Sequence, residues 1–222
     1  MEIDNLFKYG YSVFNNVVSD KIVKDFNKTL PSLPVFSTLE YSFGGQVRED
    51  INNSNEESSD APLTLDKCKI KDVIESLDYT VELPQHWYWC SLSSQNGNEI
   101  WSIIIKKIKE IYKNYELSDE HTHVEMHIMP PHTFILRHDD GVVKNRLGAF
   151  LLPLNNKPRN GKGGDLVFDY WKSPTQHSID TIESKVGDLI VLDFTQNNIK
   201  HEVTMIENWM RFNIVGFFYS KS

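Results

Sequence analysis

The sequence predicts an α+β protein in which a double-stranded β-helix, or jelly roll, carries N-terminal helices packed on one face. Two observations support this fold class. The first half of the chain has apolar residues at helical spacing, whereas the chain after residue 121 shows roughly seven or eight short strand patterns. Short strands that follow a more helical region are typical of two packed sheets with helices on one side.

Length and composition limit the class of protein. With 222 residues and 40% hydrophobic side chains, the chain is expected to form one domain, with a mixed helical support region at 1–120 and the jelly-roll core at 121–222. The formal net charge of -8 argues against a nucleic-acid partner, because phosphate binding depends on clustered Lys and Arg. The two cysteines form no C-x-x-C pair and suit a reducing compartment. No signal peptide or membrane-length apolar run is seen, which indicates a cytoplasmic protein without a membrane partner.

The beginning of the chain has the pattern of a strand followed by a helix. A strand is predicted within residues 9–18, where aromatic and β-branched side chains are frequent. Ser19 is suited to cap a helix over 20–30, because its hydroxyl can accept a hydrogen bond from the first helical turn. Val23 and Phe26 lie on the apolar face of that helix.

The next region alternates between loop, helix and strand patterns. Residues 44–62 have few apolar side chains and are predicted to form a mobile loop, which is either a solvated excursion or a lid over substrate. Apolar spacing predicts helices over 65–77 and 98–115. The aromatic residues at 87–89 follow a proline and predict a strand between the two helices.

The second half of the chain is predicted to be almost entirely strand. The patterns are short and separated by turn residues, which suits a jelly roll. The predicted strands are 122–129, 133–138, 147–154, 165–170, 188–194, 199–204 and 210–219, with a weaker one at 179–182.

The strand at 133–138 ends on a His-x-Asp pair. Alternation of side chains along a strand predicts one face that gathers Phe134, Leu136, His138 and Asp140. One imidazole and one carboxylate would then share a face just before Gly141, where the chain can turn. Such a pair supplies two-thirds of a 2-His-1-carboxylate facial triad, which holds Fe(II) and leaves the opposite face of the ion open.

The remaining ligand is predicted near the end of the sequence. A hairpin centred near Ile206 would place His201 opposite Arg211, and directly paired residues of an antiparallel ladder share a face. Asn213 would join them two residues further on. An arginine inside so apolar a strand requires an anion, and its planar two-pronged cation suits the far carboxylate of a dicarboxylate that chelates the metal.

The ordered set of motifs resembles the Fe(II)/2-oxoglutarate-dependent dioxygenases, and most nearly their prolyl-4-hydroxylase-like subgroup. The set comprises His138-x-Asp140, Gly163-Gly164-Asp165, Gly187-Asp188, His201 and Arg211. The resemblance covers roughly the last hundred residues and implies a hydroxylase that uses 2-oxoglutarate and O2 as co-substrates. It implies His138, Asp140 and His201 as metal ligands and catalytic residues. It further implies that Arg211 and Asn213 bind 2-oxoglutarate, and it admits ascorbate as an additional cofactor.

The substrate remains open between two classes. The resemblance suggests a prolyl residue of a peptide, but the stretch 126–134 has no tyrosine, which favours a free amino acid or another small molecule. Demethylases of alkylated bases are disfavoured because Phe217 stands where that subgroup has a second arginine. The alternative of a different class is a metal-binding jelly roll that acts as a binding module without catalysis.

Two other motifs have simpler interpretations. The glycine-rich stretch 161–165 matches no phosphate-binding spacing and enters a strand, so we predict a turn. His121, His123, Glu125 and His127 alternate along a strand, and we interpret them as residues of a solvated face, with a second metal site as the alternative.

Overall fold

The structure is a computed structural model of the chain. It describes residues 2–30, 98–118, 123–140, 143–195 and 199–221. It also describes the backbone of four short strands between the first two of these ranges. The predicted loop at 44–62 lies outside the described residues.

Three helices are described, α1 (Glu2–Tyr9), α2 (Asp20–Asn27) and α3 (Asn98–Ile111). Ser19 caps α2 as its sequence position predicts, and its hydroxyl accepts a hydrogen bond from the backbone N–H of Ile22. No helix in the described part of the chain has the length and apolar character needed to cross a membrane.

Thirteen strands are described, and they form two sheets. The major sheet has eight strands in the order β1-β11-β8-β13-β6-β5-β2-β3, and the minor sheet has five in the order β10-β9-β12-β7-β4. Their bounds are β1 Tyr11–Phe14, β2 Pro34–Ser37, β3 Cys68–Lys69, β4 Leu83–Pro84, β5 Tyr88–Ser91, β6 His123–Met129, β7 Thr133–His138, β8 Arg146–Pro153, β9 Leu166–Ser173, β10 Gln176–Ile182, β11 Leu189–Asp193, β12 Lys200–Val203 and β13 Arg211–Tyr219.

The topology confirms the jelly-roll prediction. Along β6 to β13 the chain crosses between the sheets at every connection except the one from β9 to β10. All pairs among β6 to β13 are antiparallel. Repeated crossing between two antiparallel sheets is the pattern of a double-sheet jelly roll.

The major sheet is apolar on both faces, because each face packs against a different layer. One face forms a cluster with the helices, in which Ile104 and Ile108 of α3 accompany Ile214 and Phe218 of β13. The other face forms a second cluster with the inner residues of the minor sheet, among them Phe168. The space between the two sheets is called the cleft below, and it contains the candidate site.

Two predicted elements differ in the structure. β12 and β13 do not form a hairpin, because β12 pairs with β7 and β9 whereas β13 pairs with β6 and β8. The helix predicted over 65–77 is wrong at Cys68–Lys69, which pair with β2 as a strand. Short apolar runs suit either a helix or a strand, and here sheet pairing outweighs the helical spacing.

Candidate functional site

A β-bulge in β7 aims His138 into the cleft. His201 of β12 pairs with His138, but Val203 pairs with Ile135, so two steps on β12 match three steps on β7. An extra residue of this kind re-aims the side chains beyond it. Ile135 packs into the cleft cluster while Leu136 is 52% exposed, which corrects the prediction that Leu136 and His138 share a face.

The bulge and the ladder bring His138, Asp140 and His201 together. The Nε2 atoms of both histidines lie 3.8 Å from the Asp140 carboxylate, one from each oxygen. One ligand atom from each residue lies within 4.8 Å of those from the other two, so this set could hold a metal ion. The predicted ligand set is therefore assembled from two neighbouring strands and the segment after β7.

The hydrogen bonds of the set suit a metal centre. His138 Nδ1 lies 2.7 Å from the Leu136 carbonyl oxygen, to which it donates when it carries the proton. Such a bond fixes the tautomer and leaves the Nε2 lone pair directed at Asp140. His201 Nδ1 is buried and has no hydrogen-bond partner among the described residues.

Burial sets the charges of these groups. It lowers the pKa of His201 to about 3, and the neighbouring His138 acts in the same direction, so the imidazole is neutral near pH 7. Burial raises the pKa of Asp140, against the opposing effect of His138 and Arg146. Imidazole nitrogens and one carboxylate are the donors that Fe(II) takes in a facial triad, and a divalent cation would favour the ionised form of the carboxylate. The residues therefore fit the metal that the resemblance implies.

Arg211 is buried in the cleft at the first position of β13. Only 2% of the residue is exposed, and its Nη atoms lie 3.7 Å from Met129 Sδ and 3.5 Å from Ser184 Oγ. Nε has no hydrogen-bond partner in the described part of the chain. Burial lowers the pKa of Arg211 to about 10, which still leaves the guanidinium charged near pH 7. A buried cation with neutral contacts is a site for a carboxylate.

Asn213 supports Arg211 from the same face of β13. With its amide oxygen turned toward Arg211, Oδ1 accepts a hydrogen bond from Nη1 at 2.8 Å. Asp165 is the acid whose charge acts on Arg211, but its carboxylate is bonded to Lys157. The two predicted 2-oxoglutarate residues thus lie together, although not through the predicted pairing of His201 with Arg211.

Arg146 links the metal-ligand segment to the major sheet, a contact that the sequence pattern did not predict. Its Nη2 donates to the backbone carbonyl of Asp140, and its guanidinium lies 4.6 Å from the ring centroid of Phe217. Arg137 instead points to the outer face of the minor sheet, where it bonds to Asp169 and Glu202. Of these two arginines, only Arg146 borders the cleft.

The interpretation of the β6 residues as a solvated face is wrong for Glu125 and His127. Their side chains are 19% and 16% exposed and lie 2.8 Å apart, from Glu125 Oε2 to His127 Nε2. They pair with Val215 and Asn213 of β13 and share the face of Met129, which packs in the cleft cluster. The polar alternation of β6 therefore marks the wall of a cleft rather than a surface in contact with solvent.

Comparison with known proteins finds relatives only at the level of structure. The sequence matches no protein-family model and no curated protein. A prolyl-4-hydroxylase from Pseudomonas putida is similar with a TM-score of 0.61 and 15% identity, over 100% of this chain and 98% of that one. A prolyl hydroxylase from Trichoplax adhaerens, solved with a hypoxia inducible factor peptide, is similar with a TM-score of 0.60 and 13% identity, over 99% of this chain and 88% of that one.

A third similar structure is a non-heme alpha ketoglutarate dependent carbocyclase from nogalamycin biosynthesis. Its TM-score is 0.57 at 12% identity, over 99% of this chain and 83% of that one. At these identities the likeness concerns the fold. The chain therefore has the double-sheet fold that prolyl hydroxylases share with other 2-oxoglutarate-dependent oxygenases.

Proposed function

We propose that the protein is an Fe(II)- and 2-oxoglutarate-dependent oxygenase that hydroxylates a C–H bond of a peptidyl prolyl or small amino-acid-like substrate. The observation that carries this proposal is the convergence of two histidines and a carboxylate in the cleft that also buries an arginine. A metal-binding module without catalysis would have no use for the buried cation. Similarity of fold to prolyl hydroxylases supports the same reaction class.

The ligand residues have distinct tasks. His138 and His201 offer imidazole nitrogen donors, and the hydrogen bond from His138 to the Leu136 carbonyl oxygen keeps that ring in one orientation. Asp140 offers the carboxylate, and its segment is tied to the major sheet by Arg146. When bound, Fe(II) supplies the oxygen-activating chemistry.

Arg211 and Asn213 would bind the far carboxylate of 2-oxoglutarate. The guanidinium is already held by Asn213 and lies on the cleft face of β13, so little ordering is needed when the co-substrate enters. Met129 of the cleft cluster contacts the guanidinium and shields it from water.

The proposed reaction balances with one O2 for each substrate. The substrate C–H bond and the decarboxylation of 2-oxoglutarate each supply two electrons. One oxygen atom becomes the substrate hydroxyl, and the other enters succinate, with CO2 released.

The first test is spectroscopic. Anaerobic addition of Fe(II) and 2-oxoglutarate should give a visible charge-transfer band that bleaches when O2 is admitted. The substitution Asp140→Ala should abolish the band and iron-dependent succinate formation, because it removes the only carboxylate of the ligand set. Asp25→Ala is the matched control, since Asp25 pairs with Lys28 on the exposed face of α2.

Two results would contradict the proposal. If the wild-type protein binds iron but gives no band with 2-oxoglutarate, the cleft is a metal site of another kind. If Asp140→Ala keeps full activity, the ligand assignment is wrong.

A further inference from the structure

Glu125 and His127 form a polar pair in the cleft that neither metal nor 2-oxoglutarate binding requires. The carboxylate and the imidazole lie 2.8 Å apart, and both side chains are largely buried. They alternate with Val124, Met126 and Ile128, which face the helix-side cluster. A polar pair directed into the interior of a jelly roll marks a place where a polar ligand is expected.

The ladder with β13 locates this pair along the cleft. The successive pairs are Arg211 with Met129, Asn213 with His127, Val215 with Glu125 and Phe217 with His123. The Arg211 end is the proposed 2-oxoglutarate anchor. The Phe217 end lies beside the metal ligands, because Arg146 contacts both the Phe217 ring and the Asp140 carbonyl. Glu125 and His127 thus occupy the stretch of wall between the co-substrate anchor and the ligand segment.

We infer that Glu125, held in place by His127, forms the substrate subsite and selects substrates that carry a protonated amine. This inference rests on the proposed oxygenase function and narrows its substrate class. A carboxylate accepts hydrogen bonds from an ammonium group, and the pairing of opposite charges is strengthened where water is excluded. His127 limits the orientations of the carboxylate, so less ordering is needed on binding.

The same chemistry discriminates between the two substrate classes that the sequence leaves open. The nitrogen of a prolyl residue inside a peptide is a tertiary amide, which has neither a proton to donate nor a positive charge. A free amino acid has both. Glu125 therefore favours a free amino acid or related small amine over a peptidyl prolyl substrate. The formal net charge of -8 for the whole chain also attracts a positively charged substrate.

The test uses matched pairs of small molecules. Free amino acids, L-proline included, are each compared with their Nα-acetyl derivatives and with a peptide that contains one internal proline. The charge-transfer band with Fe(II) and 2-oxoglutarate is recorded first, so that loss of the oxygenase function itself is seen separately. Succinate release is then measured in air, and binding is measured by calorimetry without O2.

At least one free amine should stimulate succinate release and bind, while its acetylated partner does neither. Glu125→Gln should weaken binding of that amine by about tenfold or more, the range for loss of a charge-assisted hydrogen bond. Glu116→Gln is the matched control, because Glu116 forms an exposed ion pair with Lys221. Glu125→Asp keeps the charge and should restore part of the affinity.

The inference is overturned if only acetylated compounds or the prolyl peptide respond. It is equally overturned if no free amine responds although the band is intact, or if Glu125→Gln binds the amine as well as the wild type does. The comparison of free and acetylated compounds needs no variant, so it stands even if a substitution at Glu125 prevents folding.

Discussion

The two sheets that face each other across the cleft direct their functional side chains in different ways. The minor sheet brings His138 and His201 side by side through a bulge in β7. The major sheet presents Arg211 and Asn213 through uninterrupted alternation along β13, with β6 paired in continuous register. The comparison indicates that the metal ligands lie across a local irregularity that can absorb the loss of one residue, whereas the proposed co-substrate anchor depends on register over a whole strand.

This difference predicts opposite responses to the loss of one residue. Deletion of Phe212 should turn Arg211 from the cleft to the helix-side cluster, where a charge would be buried among apolar side chains. An unpaired buried charge costs about 3–5 kcal/mol, so the variant should be unfolded or strongly destabilised and should lose its response to 2-oxoglutarate. Circular dichroism melts and the charge-transfer band measure both effects.

Deletion of Leu136 is the matched experiment in the minor sheet. It removes the extra residue of the bulge, so Ile135 and His138 should still point into the cleft and iron should still give the band with 2-oxoglutarate. If this deletion removes metal binding while that of Phe212 is tolerated, the contrast between the sheets is wrong.

Substitution of Arg211 separates the co-substrate from the metal. Arg211→Ala should raise the 2-oxoglutarate concentration for half-maximal succinate release by about tenfold to a hundredfold, as expected for a lost charge-assisted bond. The iron requirement should change far less, because the metal ligands lie on the minor sheet and the segment that follows β7. Arg211→Lys should be intermediate. An equal rise in the iron and 2-oxoglutarate requirements would contradict the assignment of Arg211 to the co-substrate.

A buried hydroxyl on the helix side of the major sheet should affect stability alone. Tyr112 donates to Asp193 Oδ1 at 2.9 Å, and burial together with the Asp193 charge raises the pKa of Tyr112, so the hydroxyl keeps its proton. Tyr112→Phe keeps the ring contacts and should lower the free energy of unfolding by about 1–3 kcal/mol. Thermal melts measure this loss. An altered 2-oxoglutarate requirement would show that the helix side is coupled to the cleft.

The outer face of the minor sheet should matter least. Arg137 lies in the bulge but bonds to Asp169 and Glu202 on the exposed side. Arg137→Ala should cost less than about 1 kcal/mol, because exposed ion pairs contribute little and are screened by salt. Melts at low and high salt, with the iron band as a second readout, check this. Loss of the band would mean that these ion pairs hold the bulge.

Much of the architecture follows from the sequence pattern. The strands of the second half have bounds within a few residues of those predicted, because alternation and apolar runs report burial directly. His138, Asp140 and His201 were identified by residue type and by position at strand ends. Arg211 was identified because a charge inside an apolar strand needs a ligand.

The features that could not be predicted from the sequence depend on pairing between distant segments. The bulge exists only in the register of β7 against β12, so alternation within β7 alone assigned Leu136 to the wrong face. A short link between strands was interpreted as a hairpin, although a jelly roll uses such links to change sheets. Glu125 and His127 were assigned to a solvated face because polar and apolar residues alternate in the same way along a strand that faces a polar cleft and along one that faces bulk water.

The position of β13 has a consequence for how the chain acquires its structure. β13 lies between β8 and β6, and 82 residues separate Arg211 from its contact with Met129. Until residues 211–219 dock, the major sheet exists as two unconnected halves with exposed edges, so assembly should be slow and concerted. The strand that bears the arginine also joins the halves, so a half-assembled chain has no competent cleft.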